Sequence, residues 1–304
     1  MIPWRKSEGT LFQDHAPRAA SALRRRAHQG SLEPMSASEA KEPPILQHKR
    51  YGAPSAFTPE NLLRQARRQK RLPDIAVSDI CILDPDGDIV RNLCAAERAR
   101  RHGGWACYHT ELYVFRRDGH EYGIVGCAVG AAFAVLIAEE LFASCCRLLV
   151  SITSAGQIAP VQATPYFVVI DRALRDEGTS YHYLPASEYS EGDVNLTELA
   201  RGALSTAGMS VRVGASWTTD APFRETEEAI ATALRGGILA VEMEAAALYA
   251  FAKARGRSVV CFAHVTNQMG RIEQDFDKGM SEGADESLRV ISLTADRWRQ
   301  ANAS

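Results

Sequence analysis

The chain has 304 residues, of which 46% are hydrophobic and 24% charged, with a formal net charge of −2. That length allows a sizeable core in one large domain or two ordinary ones, and the near-neutral balance gives no reason to expect nucleic acid or an anionic membrane as a partner. The longest apolar stretch, around Tyr122–Ile137, is too short and too glycine-broken to span a membrane, and the seven cysteines form no CxxC pair, as expected of core thiols in a reducing compartment.

Residues 1–56 are rich in Arg, Ala, Ser, Pro and His and show no apolar periodicity. They are expected to be a flexible N-terminal extension, in which 19–28 could form a short basic helix and Met35 could be an alternative start. No secretory signal is read, so a cytoplasmic location is expected. A helix is predicted over 58–71, with Thr58 as cap, Pro59 at the first helical position and Glu60 at the positive end. A strand over 77–84 runs into the turn-former DPDGD, and strands over 111–117 and 122–129 are joined by a turn at Asp118–Gly119. There follow a helix over 131–144, strands over 147–153, 166–170 and 210–219, and a helix over 225–237, for which Thr219 or Asp220 is the expected cap. An apolar strand-like run from 237 leads into an Ala-rich helix, a strand covers 258–267, and a last helix covers roughly 284–300. Strands alternating with helices from residue 120 onward indicate an α/β fold with a largely parallel or mixed sheet, and no linker-like break after residue 57 divides it.

Four segments carry candidate chemistry. In DPDGDIVR (84–91), Gly87 would let backbone N–H groups approach an anion and Arg91 would add a guanidinium fork, although DPDG is also what an exposed strand-to-helix turn looks like. SITSAGQI (151–158) ends a strand in small hydroxyl residues and open amides that suit a phosphate or sugar oxygen. GGILAVEMEAAALYAFA (237–253) sets Glu242, Met243 and Glu244 at a strand-to-helix junction, and SVVCFAHVTN (258–267) ends on Asn267. Open α/β sheets place their sites outside the carboxyl ends of strands, where both groups fall. The structural alternatives are a glutamate favoured at a helix start by its dipole and a methionine in the core. No HExxH, GxSxG, Walker-type or dinucleotide pattern accompanies these pieces, so neither a metal nor a redox cofactor is expected.

The VEMEAA string strongly resembles the signature of the nucleoside phosphorylase family, which contains uridine phosphorylases and hexameric purine nucleoside phosphorylases. The resemblance covers roughly residues 57–300. It implies a three-layer α/β/α fold with a mixed, largely parallel central sheet over residues 57–304, and a homo-oligomer, either a dimer or a trimer of dimers. Gly87-Asp88-Ile89-Val90-Arg91 matches the family's GDxxR phosphate loop, and Ser154 and Gly156 fit its R-x-G-T/S-x-G pattern. By the same resemblance Glu244 holds two ribose hydroxyls, Met243 lies against the sugar and Glu242 supports them. In GASWTTDAPFRETEE (214–228), Phe223 would stack on the base and Arg224 would contact a base carbonyl.

The chain departs from the family pattern at the cationic phosphate ligands. Ser151 stands at one arginine position, and an arginine donated by a neighbouring subunit should fall near Tyr108 or His109, neither of which is Arg. Asn267 stands where purine-specific members carry an aspartic acid that protonates the departing base; an amide cannot do so, and uridine phosphorylases carry Asn there. RDEGTSYHYLP (175–185) resembles uridine-phosphorylase-like relatives; its Arg175, Tyr181 and His182 read either as reaching a neighbouring site or as a hydrogen-bonded turn, and His264 reads as a packed strand residue. The expected catalytic set is Glu244, Arg91 and Asn267, and the substrate-binding set Gly87, Ser154, Phe223, Arg224, Glu242, Met243, His109 and His182. The implied activity is a pentosyltransferase of nucleoside salvage that uses phosphate as co-substrate and no cofactor, with a pyrimidine, uridine-like nucleoside favoured. The alternatives are a hydrolase that uses water and a non-catalytic nucleoside-binding protein.

Overall fold

The computed structural model describes residues 42–269, 273, 275, 276 and 278–303, so the expectations for residues 1–41 lie outside the described residues. The described residues belong to one unit, Glu42–Ser304. Helix α1 (Pro59–Lys70) is capped as expected: the Thr58 hydroxyl accepts the Asn61 N–H at 3.3 Å. Strand β1 (Ile80–Asp84) runs into helix α2 (Asp88–Ala95), then come β2 (Ala99–Arg101), β3 (Tyr113–Arg117), β4 (His120–Gly126) and helix α3 (Ala131–Ala143). Strands β5 (Leu148–Gln157) and β6 (Tyr166–Asp176) extend well past their apolar runs, followed by β7 (Tyr189–Glu191), α4 (Val194–Thr206) and β8 (Val211–Thr219). Helix α5 (Glu227–Arg235) is capped by Thr226, whose hydroxyl accepts the Ala229 N–H. The expected caps, Thr219 and Asp220, lie too early, because a 3-10 turn at Pro222–Arg224 separates them from the helix. Strand β9 (Ala240–Glu242), α6 (Ala245–Arg255), β10 (Ser258–Asn267) and α7 (Ala284–Ala301) complete the unit.

The side-chain alternation of the central strands decides the layering. On β1, Cys81 and Leu83 face a core shared with α3 and α6, while Ile80 and Ile82 face a core shared with α2, α4 and α7. On β10, Val259, Cys261, Ala263 and Val265 join the first core, and Val260 and Phe262 the second. Strands buried on both faces need helices on both faces, and the result is the three-layer α/β/α arrangement expected. The sheet is mixed: β4-β1-β5-β10 and β6-β8-β9 run parallel, and the other pairings are antiparallel. Because β5 pairs with both β10 and β9, the strands β5-β10-β6-β8-β9 close on themselves into a ring. The carboxyl ends of β1, β5 and β10 lie side by side, and the antiparallel β9, paired with the last residues of β5, delivers α6 beside them.

Candidate functional site

The loop after β1 is built around a buried carboxylate. Asp84 accepts the Gly87 N–H at 3.2 Å and the Val90 N–H at 2.9 Å, which folds residues 84–90 back against the strand. Burial pushes its pKa up to about 7; the Val90 and Gly87 amides pull it back, and the charges of Asp86 and Asp88 add to the rise. Gly87 begins α2 with φ 78°, a left-handed conformation that an L side chain resists. A Cβ there would also stand 2.5 Å from Cys127 Sγ and 2.8 Å from Arg91 Nη1, exposed side-chain ends that would have to turn aside. One turn into α2, the largely exposed Arg91 guanidinium pairs with Asp88 and approaches Cys127 Sγ at 3.8 Å.

Beside this loop, the carboxylate of Asp86 accepts both donors of Ser154: the backbone N–H at 2.7 Å and the hydroxyl. Lys278 pairs with Asp88 and stands 3.8 Å from Asp86. Together with Thr153 and His264 these residues line a narrow cleft of about 20 Å³. His264 stacks on Phe167, with centroids 4.4 Å apart and planes at 14°, as a packed strand residue does. Its Nε2 is buried without a hydrogen-bond partner among the described residues, and burial, then the nearby Lys278, hold its pKa down at about 4. Ser151, at the expected arginine position, is buried in β5 between Leu83 of β1 and Cys261 of β10.

The two glutamates of the VEMEAA segment have different surroundings. Glu242 is surrounded by donors: one oxygen accepts the Ser216 hydroxyl at 2.9 Å and the Thr218 hydroxyl, the other the N–H groups of Glu244 and Ala245, each at 2.7 Å. Thr218 in turn accepts the Ala246 N–H at 2.9 Å. Glu242 therefore caps α6, in the supporting part expected of it, and both its oxygens are engaged by the protein. Glu244 is just as buried; its Oε1 accepts the Gly130 N–H at 2.7 Å at the start of α3. No hydrogen-bond partner reaches its Oε2 among the described residues. Burial and the adjacent Glu242 charge push its pKa up to about 8, the Asp86 charge adding to the rise, and the Gly130 amide and the Thr153 hydroxyl pull it back. Met243 is half-buried between the two. Asn267 closes β10: its Oδ1 accepts the Met269 N–H at 2.9 Å in a turn, and its Nδ2 donates to Thr266 Oγ1 at 3.2 Å and the Ala155 carbonyl at 3.4 Å.

The fold thus gathers Gly87, Arg91, Ser154, Glu242, Met243, Glu244 and Asn267 at one end of the sheet. The other expected contacts are on the surface. Phe223 is 99% exposed on its 3-10 turn, with Arg224 exposed beside it. His109 is exposed with its ring 6.4 Å from Phe133, and His182 is exposed with Nδ1 at 2.8 Å from Lys49 Nζ. Arg175 is a buried turn anchor that donates to Ser180, Ser187 and the Pro185 carbonyl at 2.7 to 2.8 Å and stacks on Tyr181. Asp84, Asp86, Gly130, Thr218 and Lys278 take part without having been singled out from the sequence. Asp84 and Asp86 stood inside the DPDGD turn and Thr218 inside the 214–228 segment, whereas Gly130 and Lys278 lie outside any motif.

Comparison with known proteins agrees with this geometry. Residues 79–295 match the sequence profile of the Phosphorylase superfamily. The chain is 27% identical over 182 residues to a guanosine phosphorylase of Halorubrum lacusprofundi, covering 58% of this chain and 75% of that one. It is also similar to the DeoD-type purine nucleoside phosphorylases of Myxococcus xanthus (27% identical) and Streptococcus uberis (26%), covering 45% of this chain and 59% of each relative. With the profile spanning most of the described unit and the strand-end carboxylates in place, the chain belongs to the nucleoside phosphorylase family of the phosphorylase superfamily.

Proposed function

We propose that this chain cleaves the N-glycosidic bond of a nucleoside at the strand-end site, with inorganic phosphate as acceptor, giving free base and a pentose 1-phosphate. The observation that carries the reading is Glu244, a buried carboxylate anchored through one oxygen, with the other unpartnered, beside a glycine turn and a hydroxyl strand end. Once ionised, such a group is acceptor-only and suits two adjacent ribose hydroxyls, and with its pKa at about 8 the free site reaches that form as the pH rises through that value. Met243 would lie against the sugar, Gly87, Arg91 and Ser154 would hold the phosphate, and Phe223 and Arg224 would cover the base. The exposed His109 and His182 would complete the site in a homo-oligomer. As the bond to the base stretches, the sugar gains oxocarbenium character, and the Glu244 carboxylate and the phosphate both favour that positive charge. Catalysis would rest on positioning and electrostatics, with no metal or redox cofactor.

A pyrimidine nucleoside is the proposed substrate, because Asn267 has no proton to give as an acid, whereas a departing uracil spreads its charge over two carbonyls that N–H donors stabilise. The relatives named for guanosine and purines support the other choice of base. Water as acceptor is a second reading, favoured by the Asp86 carboxylate that engages both Ser154 donors. The test is base release from uridine, thymidine, inosine and adenosine with and without phosphate, with base and sugar products separated by chromatography. Phosphate-dependent release of uracil with pentose 1-phosphate is expected. Release of free ribose without phosphate would replace phosphorolysis by hydrolysis, and purine release alone would replace the base assignment.

A further inference from the structure

We propose that Asp86 is the residue that selects the acceptor: its carboxylate fills the oxyanion position at Ser154, and phosphate binds there only by displacing it. The inference rests on the reading of the strand ends as the acceptor site and deepens it. Ser154 offers a backbone N–H and a hydroxyl from one residue, the pair of donors an oxyanion needs, and both point at a single Asp86 oxygen. Among the described residues, the cations beside that position are also engaged by carboxylates, Lys278 by Asp88 and Asp86, and Arg91 by Asp88. The cleft lining carries Asp84, Asp86, Asp88 and Glu282 against one ammonium. A phosphate dianion brought in among these groups meets net repulsion, which a low-dielectric cleft strengthens. A neutral acceptor meets none.

Of the three loop aspartates only Asp86 has this relation to the acceptor position. Asp84 is held by two loop amides, and Asp88 lies in the first turn of α2, where it pairs with both cations. Asp86 sits at the turn immediately before Gly87, half-exposed, and its displacement breaks its bonds from the Ser154 N–H and hydroxyl, the two donors a phosphate oxygen would take over, and its 3.8 Å ion pair with Lys278. A second observation marks the same cleft as a place for a polar ligand: His264, 5% exposed, has an Nε2 with no hydrogen-bond partner among the described residues.

The experiment is calorimetric titration of inorganic phosphate into the full chain and its Asp86→Asn and Asp86→Ala variants, with thermal melting as the folding control. Both variants should bind phosphate at least tenfold more tightly than the parent, and the gain should vanish in Asp86→Asn combined with Ser154→Ala. If Asp86→Ala does not fold, the nearly isosteric Asp86→Asn decides alone. Unchanged or weaker phosphate binding in the folded Asn variant would overturn the proposal, as would a gain that survives the Ser154 substitution. Calorimetry reads binding without turnover, so a chain that cleaves no nucleoside would refute the proposed reaction and leave the Asp86 result readable.

Discussion

The two glutamates two residues apart should respond oppositely to truncation. Glu242→Ala removes the acceptor for four donors, the Ser216 and Thr218 hydroxyls and the amides of Glu244 and Ala245. The hydroxyls can rotate, but the two amides at a buried helix start cannot, and each unsatisfied buried donor costs about 1–3 kcal/mol. Release of a buried charge offsets part of this, leaving a net loss of about 3–5 kcal/mol, typical of breaking a buried charged network. Glu244→Ala strands only the Gly130 amide, and it removes a buried carboxylate that has one unpartnered oxygen and the Glu242 charge for a neighbour. Those effects have opposite signs, so the net change should stay within about 1 kcal/mol. Urea unfolding of the parent and both variants measures this, with an unchanged slope confirming that the midpoint shift is a stability change. Glu244→Ala should fold like the parent and lose base release. A Glu244→Ala variant destabilised as much as Glu242→Ala would refute the division into a capping and a ligand-holding carboxylate.

Gly87→Ala should lose about 1–2 kcal/mol in the same unfolding assay, from left-handed strain, together with the phosphate response of base release. His264 has its pKa held down at about 4, below the ordinary value of about 6.5, so between those values the unfolded chain binds the extra proton. Its contribution to stability is therefore complete above about pH 6.5 and falls by about 3 kcal/mol as the pH drops to about 4, a slope that His264→Gln should lack when the two unfolding curves are subtracted. Phe223→Ala should leave the melting temperature unchanged, since the ring is 99% exposed. It should raise the nucleoside KM by roughly tenfold, the size of one base–aromatic stacking contact, and an unchanged KM would remove Phe223 from the site.

Much of this architecture was legible because local signals and global fold agree. The Thr58-Pro59-Glu60 start, the Asp118–Gly119 turn and the Ala-rich run after Glu244 each specify their element by capping, turn chemistry or periodicity, and α1, the β3–β4 hairpin and α6 lie where expected. Helix α4 went unread although Asp193 caps it through the Leu196 amide and Leu196, Ala200 and Leu204 form its buried stripe. Polar residues and a glycine interleaved with that stripe hid it between stronger neighbours. The late strand residues of β5 and β6 are polar or small because they line a ring of strands and a site, so apolar runs alone set their ends too early. Glu242 and Glu244 are indistinguishable in sequence; only the three-dimensional placement of Ser216, Thr218 and Gly130 separates their parts. The Asp86–Ser154 contact joins residues 68 apart, which no local spacing reveals.

The central claim, that Glu244 holds the sugar while its glycosidic bond is cleaved, is tested most directly by product analysis of uridine and phosphate incubated with the full chain and with Glu244→Gln. The account predicts uracil and pentose 1-phosphate from the parent. A folded Gln variant should be slower by roughly a hundredfold or more, the effect of weakening two hydrogen bonds to a charged acceptor. A Gln variant within a few-fold of the parent, or a parent that releases no base from any nucleoside with or without phosphate, would contradict it.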